Sequence, residues 1–347
     1  MNNDLDTESR VPKPITNGKR ILVTGGAGFI GTNFVYHMVE KGHDVTILDK
    51  LTYAGGKDNL EPLGDKVKLI VADICDRDAV RNAVKNMDHV VHFAAESHVT
   101  RSETDPELFY RVNVEGTKIM IEESLATKVQ KFLHISTDEV YGSKESGLFK
   151  EEDKLPGDGQ ASSPYAKSKA QADDLAQKFA KTGAPILITR TTNNFGPWQF
   201  PEKALPRWIT NLLLGKKIPV WGEGKQVRDW LYAPENAKAI EFVLEKGKLG
   251  EVYNVAANNK PEIENRRAAE MLCVGLDLDP KEWIEFVPDP RPQHDFRYAI
   301  DTTKLESLGW KPEREPEKQF KETIFWYKTH EKWWKKRKAE AERIYKK

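Results

Sequence analysis

Tyr165 and Lys169 stand four residues apart in the run Tyr-Ala-Lys-Ser-Lys. In a helix that spacing puts both on one face. An ammonium there lowers the pKa of a neighbouring phenol, so tyrosinate becomes reachable as a base near neutrality. Upstream, Asp138 and Glu139 are adjacent in the run Ser136-Thr137-Asp138-Glu139-Val140-Tyr141-Gly142. Two carboxyls in one partly buried site separate each other's pKa values, leaving one ionised as a base and one neutral as an acid. The bland reading of that run is an exposed acidic loop after a strand.

A third set of residues suits binding rather than proton transfer. Gly26-Ala27-Gly28-Phe29-Ile30-Gly31 fits Gly-x-Gly-x-x-Gly, and Gly25 adds a Gly-x-x-Gly-x-x-Gly spacing. The pattern follows an apolar run and opens a helix-like one, the context in which it has meaning. Backbone without side chains lets N–H groups and a helix N-terminus meet a pyrophosphate directly. Gly25, Gly28, Phe29, Ile30 and Gly31 are therefore candidate contacts to a dinucleotide. Asp49 closes the second apolar run, 18 residues beyond Gly31. A carboxylate there accepts the adenosine ribose hydroxyls and repels a 2′-phosphate, which predicts NAD rather than NADP. Lys50 adjoins it and tempers that repulsion. Asp73-Ile74 and Ala94-Ala95 follow the third and fourth runs, where ligands of open parallel sheets sit. Asp73 reads equally well as a helix cap.

These positions need a scaffold that delivers them to one crevice. Apolar runs at 21–24, 44–48, 67–71, 89–93, 132–135 and 185–189 alternate with helix-like stretches at 31–40, 77–85, 107–123 and 166–181. Such alternation predicts an α/β fold, a Rossmann-type doubly wound parallel sheet covered on both faces. A smaller C-terminal α/β substrate lobe follows. The expected divisions are a disordered leader at 1–18, a dinucleotide-binding domain at 19–192 to which later segments return, a lobe at 193–330, and a charged helix at 331–347. From Lys328 to Lys347 nine Lys/Arg stand against three Glu, which predicts a solvated terminal helix docked by its aromatic side.

The 54 Lys+Arg balance the 54 Asp+Glu, so no long-range field favours nucleic acid or an anionic membrane. A charged ligand must then be met by local basic residues. The polar start, with Pro12 and Pro14 and no apolar core, does not read as a signal peptide. No stretch approaches the ~18 apolar residues of a membrane span. Cys75 and Cys273 stand in no metal-like or redox-like spacing. No metal is expected, and the cytoplasm is the expected location.

The glycine pattern, the Thr137-Asp138-Glu139 run and the Tyr165–Lys169 pair together resemble the extended short-chain dehydrogenase/reductases, a family of NAD-dependent sugar epimerases and dehydratases. The resemblance covers roughly residues 19 to 330 and recurs in short blocks. These include Asp49 to Gly55, Ala94 to Val99 with Arg101-Ser102, Asn193 to Pro197, Phe200-Pro201-Glu202-Lys203, Val227 to Trp230, and Arg291 to Asp301. Epimerases of the family carry small hydroxyl residues at 138 and 139, and decarboxylases lack the aspartate. The acidic pair resembles that of the dTDP-glucose 4,6-dehydratases. The resemblance implies that Thr137 bonds the reacting sugar oxygen and that Thr52 and Asn194 join the cofactor contacts. It places His98, Asn193, Lys203, Arg228, Arg291 and His294 on a nucleoside-diphosphate sugar, the arginines matching pyrophosphate in shape and charge. It also implies a homodimer joined through the helices at 107–123 and 166–181.

The implied reaction is that of a hydro-lyase. Tyr165 takes the 4-hydroxyl proton as C4 gives hydride to NAD. Glu139 removes the C5 proton made acidic by the new ketone, and Asp138 protonates the departing C6 hydroxyl. Hydride returns to C6 and a proton to C5, leaving a 4-keto-6-deoxy sugar. Pro290 stands where the family usually has Asp and Gln293 where Gly is usual. The segment 258–265 lacks the Asn expected near 263. The accepted base therefore stays open between dTDP and UDP. Within the same fold the alternatives are a UDP-glucose 4,6-dehydratase, a UDP-glucuronate decarboxylase and a 4-epimerase. From another class, the alternative is a non-catalytic NAD-sensing protein.

Overall fold

The computed structural model describes residues 18–144, 146–155, 163–289, 297 and 299–345. Arg291 and His294, with Pro290 and Gln293, lie outside the described residues, as does the expected leader except its last residue.

Six strands share one sheet: β1 (Arg20–Thr24), β2 (Asp44–Asp49), β3 (Val67–Val71), β4 (His89–His92), β5 (Lys131–Thr137) and β6 (Ile186–Thr191). A seventh, Val252–Val255, completes it in the order β3-β2-β1-β4-β5-β6 and then the late strand, with every pairing parallel. Successive strand residues point to opposite faces. Ile21 and Val23 accordingly enter one core with Phe34, Val35 and Val45, and Leu22 enters the other with Leu48, Val90 and Phe132. An unbroken apolar run is stable only with helices on both faces, as found here. Strand order reverses between β1 and β4, which opens a crevice beyond their carboxyl ends.

After Thr191 the chain leaves the sheet and comes back. Helix Ala233–Lys246 packs on α1 (Phe29–Glu40) and leads to Val252–Val255, whose Val252 lies opposite Ile188 of β6. The remaining segments build a third core from Trp208, Ile209, Leu272, Phe320, Tyr327 and Trp334.

Two helices differ from expectation. The stretch 107–123 is three pieces: Pro106–Tyr110, a π-helical turn Arg111–Gly116, and Thr117–Ala126. One wide turn leaves hydrophobic periodicity almost unchanged, so spacing did not announce it. The turn seats the buried Asn113, whose amide donates to Glu96 O (3.0 Å) and Ser168 Oγ (2.9 Å). It thereby ties the loop after β4 to helix Pro164–Lys181. The C-terminal helix Glu331–Ala341 docks Trp333 and Trp334 as its aromatic content predicts, but it also buries Arg337 and Lys338. Lys338 Nζ donates to Asn211 Oδ1 (2.7 Å). Among the described residues, no helix is long and apolar enough to cross a membrane.

Candidate active site

A cavity of about 350 Å³ opens beyond the carboxyl ends of the strands. At one end it is floored by the loop from β1 to α1. Gly25 has φ +68° and donates its N–H to Leu48 O (2.9 Å); a Cβ there would lie 2.7 Å from the Ala94 nitrogen. A Cβ on Gly31 would collide with the Gly25 carbonyl. Gly28 differs, because an added Cβ would touch only Gly25 O, at 3.3 Å, and would take up cavity space. No side chain caps α1, and its first residues Phe29, Ile30 and Gly31 line the cavity. A bare helix start beside a backbone without side chains fits the pyrophosphate of NAD.

Asp49 lines the same end, nearly buried, and serves the scaffold as well. Its Oδ2 accepts from Ala27 N (3.0 Å) and its Oδ1 from Leu51 N (2.8 Å), joining the glycine loop to the loop after β2. Burial raises its pKa while those two backbone donors oppose the shift. Lys50 is held by Asp73 (2.8 Å), and Lys50, Thr52, Asp73, Ile74, Ala94 and Ala95 all line the cavity. Asp73 Oδ1 accepts from Cys75 N (2.9 Å), while the cap of the next helix, Arg77–Ala83, is Asp76.

At the other end, helix Pro164–Lys181 places Tyr165 and Lys169 on the wall, its start capped by Ser163 Oγ on Ala166 N (3.1 Å). Lys169 Nζ donates to Ile135 O (2.8 Å), and burial lowers its pKa to about 8 against the pull of Asp173. The expected lowering of the Tyr165 phenol is absent. Burial, with the nearby Glu139, raises it, and only the Thr137 hydroxyl works against them. Burial decides the direction, and helical spacing carries no information about burial.

β5 ends in a short turn, Asp138–Tyr141, capped by Thr137, whose Oγ1 accepts from Glu139 N (3.3 Å). Thr137 Oγ1 also lies 3.1 Å from Asp138 Oδ1. Asp138 is 2% exposed, and its Oδ2 is buried with no protein partner. Burial first, then Glu139, pushes its pKa up to about 8. Glu139, half-buried, stands beside it on the wall. The two neighbours thus occupy unlike surroundings, as acid–base division requires.

Asn193, Asn194 and Lys203 line the cavity as expected, and Asn193 Oδ1 is buried without a protein partner. The Asn194 amide is instead engaged by Thr191 Oγ1, Thr192 O and Asn236. His98 and Arg228 are not on the wall. His98 caps helix Val99–Thr104 through Nδ1, and its Nε2 lies 3.7 Å from Glu202 Oε2. Arg228 is buried and donates to Val227 O (2.6 Å), yet lies near enough to Asp138 to oppose the rise of its pKa. Among the lining residues without a role assigned from sequence are Tyr53 and Glu202: Tyr53 donates its hydroxyl to Glu202 Oε1 (3.0 Å), and the guanidinium of Arg101, which is not on the wall, lies 3.6 Å over the Tyr53 ring. Both stood inside the recurring blocks. Their meeting across 149 positions was invisible there.

The chain matches the model of a family described as "NAD dependent epimerase/dehydratase family" over residues 21–256. It is 41% identical to the dTDP-glucose 4,6-dehydratase of Streptomyces niveus, over 93% of this chain and 97% of that one. With dTDP-glucose 4,6-dehydratase 1 of Escherichia coli the identity is also 41%, over 90% and 94%. The crystal structure of the Bacillus anthracis dTDP-glucose 4,6-dehydratase in complex with NAD superposes with a TM-score of 0.83 at 38% identity, covering 92% of this chain and 99% of that one.

Proposed function

Because the chain belongs to the NAD dependent epimerase/dehydratase family, we propose that it removes water from dTDP-glucose as a hydro-lyase, giving the 4-keto-6-deoxy sugar. The observation that carries this reading is Asp138, a buried carboxyl held neutral near pH 7 with one oxygen unpartnered, next to Glu139 and on one wall with Tyr165. An epimerase needs the tyrosine but no such acid–base pair. The glycine loop, Asp49 and the open start of α1 would hold NAD. When bound, NAD supplies a hydride acceptor for C4 and a donor for C6, and its oxidised ring brings a positive charge that favours the tyrosinate. Tyr165 takes the 4-hydroxyl proton, and Thr137 holds the same oxygen. Glu139 removes the C5 proton, and Asp138 delivers its proton to the C6 oxygen as that bond breaks. Lys203 and Asn193 bind the nucleotide sugar, with Arg228, Arg291 and His294 as further contacts. Helices within 106–126 and Pro164–Lys181 join two copies, a reading supported by Tyr110, an aromatic side chain 48% exposed at the end of helix Pro106–Tyr110. The cytoplasm is the proposed location.

Incubation with dTDP-glucose and, separately, UDP-glucose tests the reading by mass spectrometry of the sugar. The expected product is lighter by one water and forms faster from dTDP-glucose. A product of unchanged mass would make the protein an epimerase, and faster turnover of UDP-glucose would change the base.

A further inference from the structure

Asn59 is fully buried, and its polar groups reach three separate parts of the molecule. Its side-chain N–H donates to Ala27 O in the glycine loop (2.8 Å), and its Oδ1 accepts from the Trp333 indole N–H (2.7 Å). Its backbone carbonyl accepts from the Tyr36 hydroxyl of α1 (3.0 Å). A second tie runs beside the first: Arg337 Nη2 donates to Asp58 Oδ1 (2.6 Å), and its guanidinium lies 4.3 Å over the Trp333 ring. The chemistry of these partners allows one arrangement. An indole can only donate and a carbonyl can only accept. Trp333 therefore fixes which end of the Asn59 amide faces it, and the donor end is left for Ala27.

We infer that Trp333 and Asn59 are positioning residues of the dinucleotide site, through which the C-terminal helix holds the glycine loop in place. The inference rests on the reading that this loop takes NAD. Neither residue lines the cavity, so their action is on the loop and not on the ligand. Trp333→Phe keeps most of the ring but leaves Asn59 Oδ1 buried without a donor. Asn59→Asp keeps an acceptor for Trp333 but gives nothing to Ala27.

NAD titrated into the full-length apoprotein by calorimetry should bind on the order of 5- to 30-fold more weakly to both variants, the scale set by an unsatisfied buried polar group. Binding of dTDP to the NAD-saturated protein should stay within about twofold. A purely structural role would lower the melting temperature of the apoprotein and leave NAD affinity alone. NAD affinity within twofold of wild type in Trp333→Phe overturns the inference. If both variants fail to fold, Asp58→Asn, on a partly exposed side chain, should weaken NAD by about two- to fivefold; no change there overturns it equally. A wild-type protein that binds no NAD in the same titration would instead remove the reading of the site, and the inference with it.

Discussion

Adjacent carboxyls reach opposite states only where their surroundings differ, and at 138 and 139 they do. Asp138 is pushed up to about 8 by burial and by its neighbour, whereas Glu139 faces the cavity half-exposed. If Glu139 is the C5 base, Glu139→Gln should form NADH and the 4-keto sugar without exchanging the C5 hydrogen for solvent deuterium. Asp138→Asn should also form NADH, but with C5 exchange, since the base remains. Each should lose about 10²–10⁴ in overall rate. Quenching in deuterium oxide and reading C5 by mass spectrometry decides the roles; exchange in the Glu139 variant alone would reverse them. The pH dependence follows from the same group. The folded pKa of Asp138 is raised above its unfolded value, so the stability it contributes is full below ~4 and is lost as pH rises through about 8. Above pH 8, Asp138→Asn should therefore melt at a higher temperature than wild type. A lower melting temperature there would mean the carboxyl is better solvated than its burial indicates. At this scale residue types were legible from the sequence, and environments were not. The Tyr165–Lys169 spacing put both residues on the cavity wall, but burial and the nearby Glu139 raise the phenol rather than lower it.

Among the elements, what the sequence made plain was periodicity and what it hid was mutual contact. Strands β1 to β6 follow from apolar runs, and the glycine loop from its place between a run and a helix. The π-helical turn at Arg111–Gly116 is one residue's worth of widening, too small for a 3.6-residue pattern to register. Asp49 shows a subtler limit. Its type and place suggested a ribose acceptor, but its two oxygens also accept Ala27 N and Leu51 N. Asp49→Ala should thus weaken NAD binding and also lower the melting temperature of the apoprotein. Asp49→Asn keeps one acceptor oxygen and should retain more stability, while tolerating NADP better than wild type does. Calorimetry with both dinucleotides, alongside melting curves, separates the two roles. If apoprotein stability does not move in Asp49→Ala, the brace between the loops has no energetic weight.

Across the whole molecule, segments far apart in sequence converge behind helix Pro164–Lys181 on one buried ion pair. Arg190 of β6 donates through Nε and Nη2 to Asp173 of helix Pro164–Lys181 (3.0 and 2.8 Å). Its Nη1 reaches the Tyr141 hydroxyl (2.7 Å), which donates in turn to Asn254 Oδ1 (2.8 Å) on the late strand. Both charged side chains are essentially fully buried. Burial drives the Asp173 carboxyl up, and Arg190 outweighs it, holding the pKa below the usual range. A sequence reading has no way to match residues 141, 173, 190 and 254, because each is unremarkable in its own segment. Removing one partner leaves the other charge stranded, so Arg190→Met should cost about 3–5 kcal/mol in denaturant unfolding. Replacing the pair together, Arg190→Met with Asp173→Leu, removes both desolvation penalties and should recover most of that loss. The double variant should nevertheless be a poorer enzyme than its stability suggests. Asp173 lies one turn beyond Lys169 and opposes the lowering of its pKa, so without it the ammonium should lose its proton at lower pH. The alkaline limb of the rate profile should then move to lower pH in the double variant. A double variant as unstable as Arg190→Met would show that the pair is held by the Tyr141 and Asn254 bonds rather than by charge.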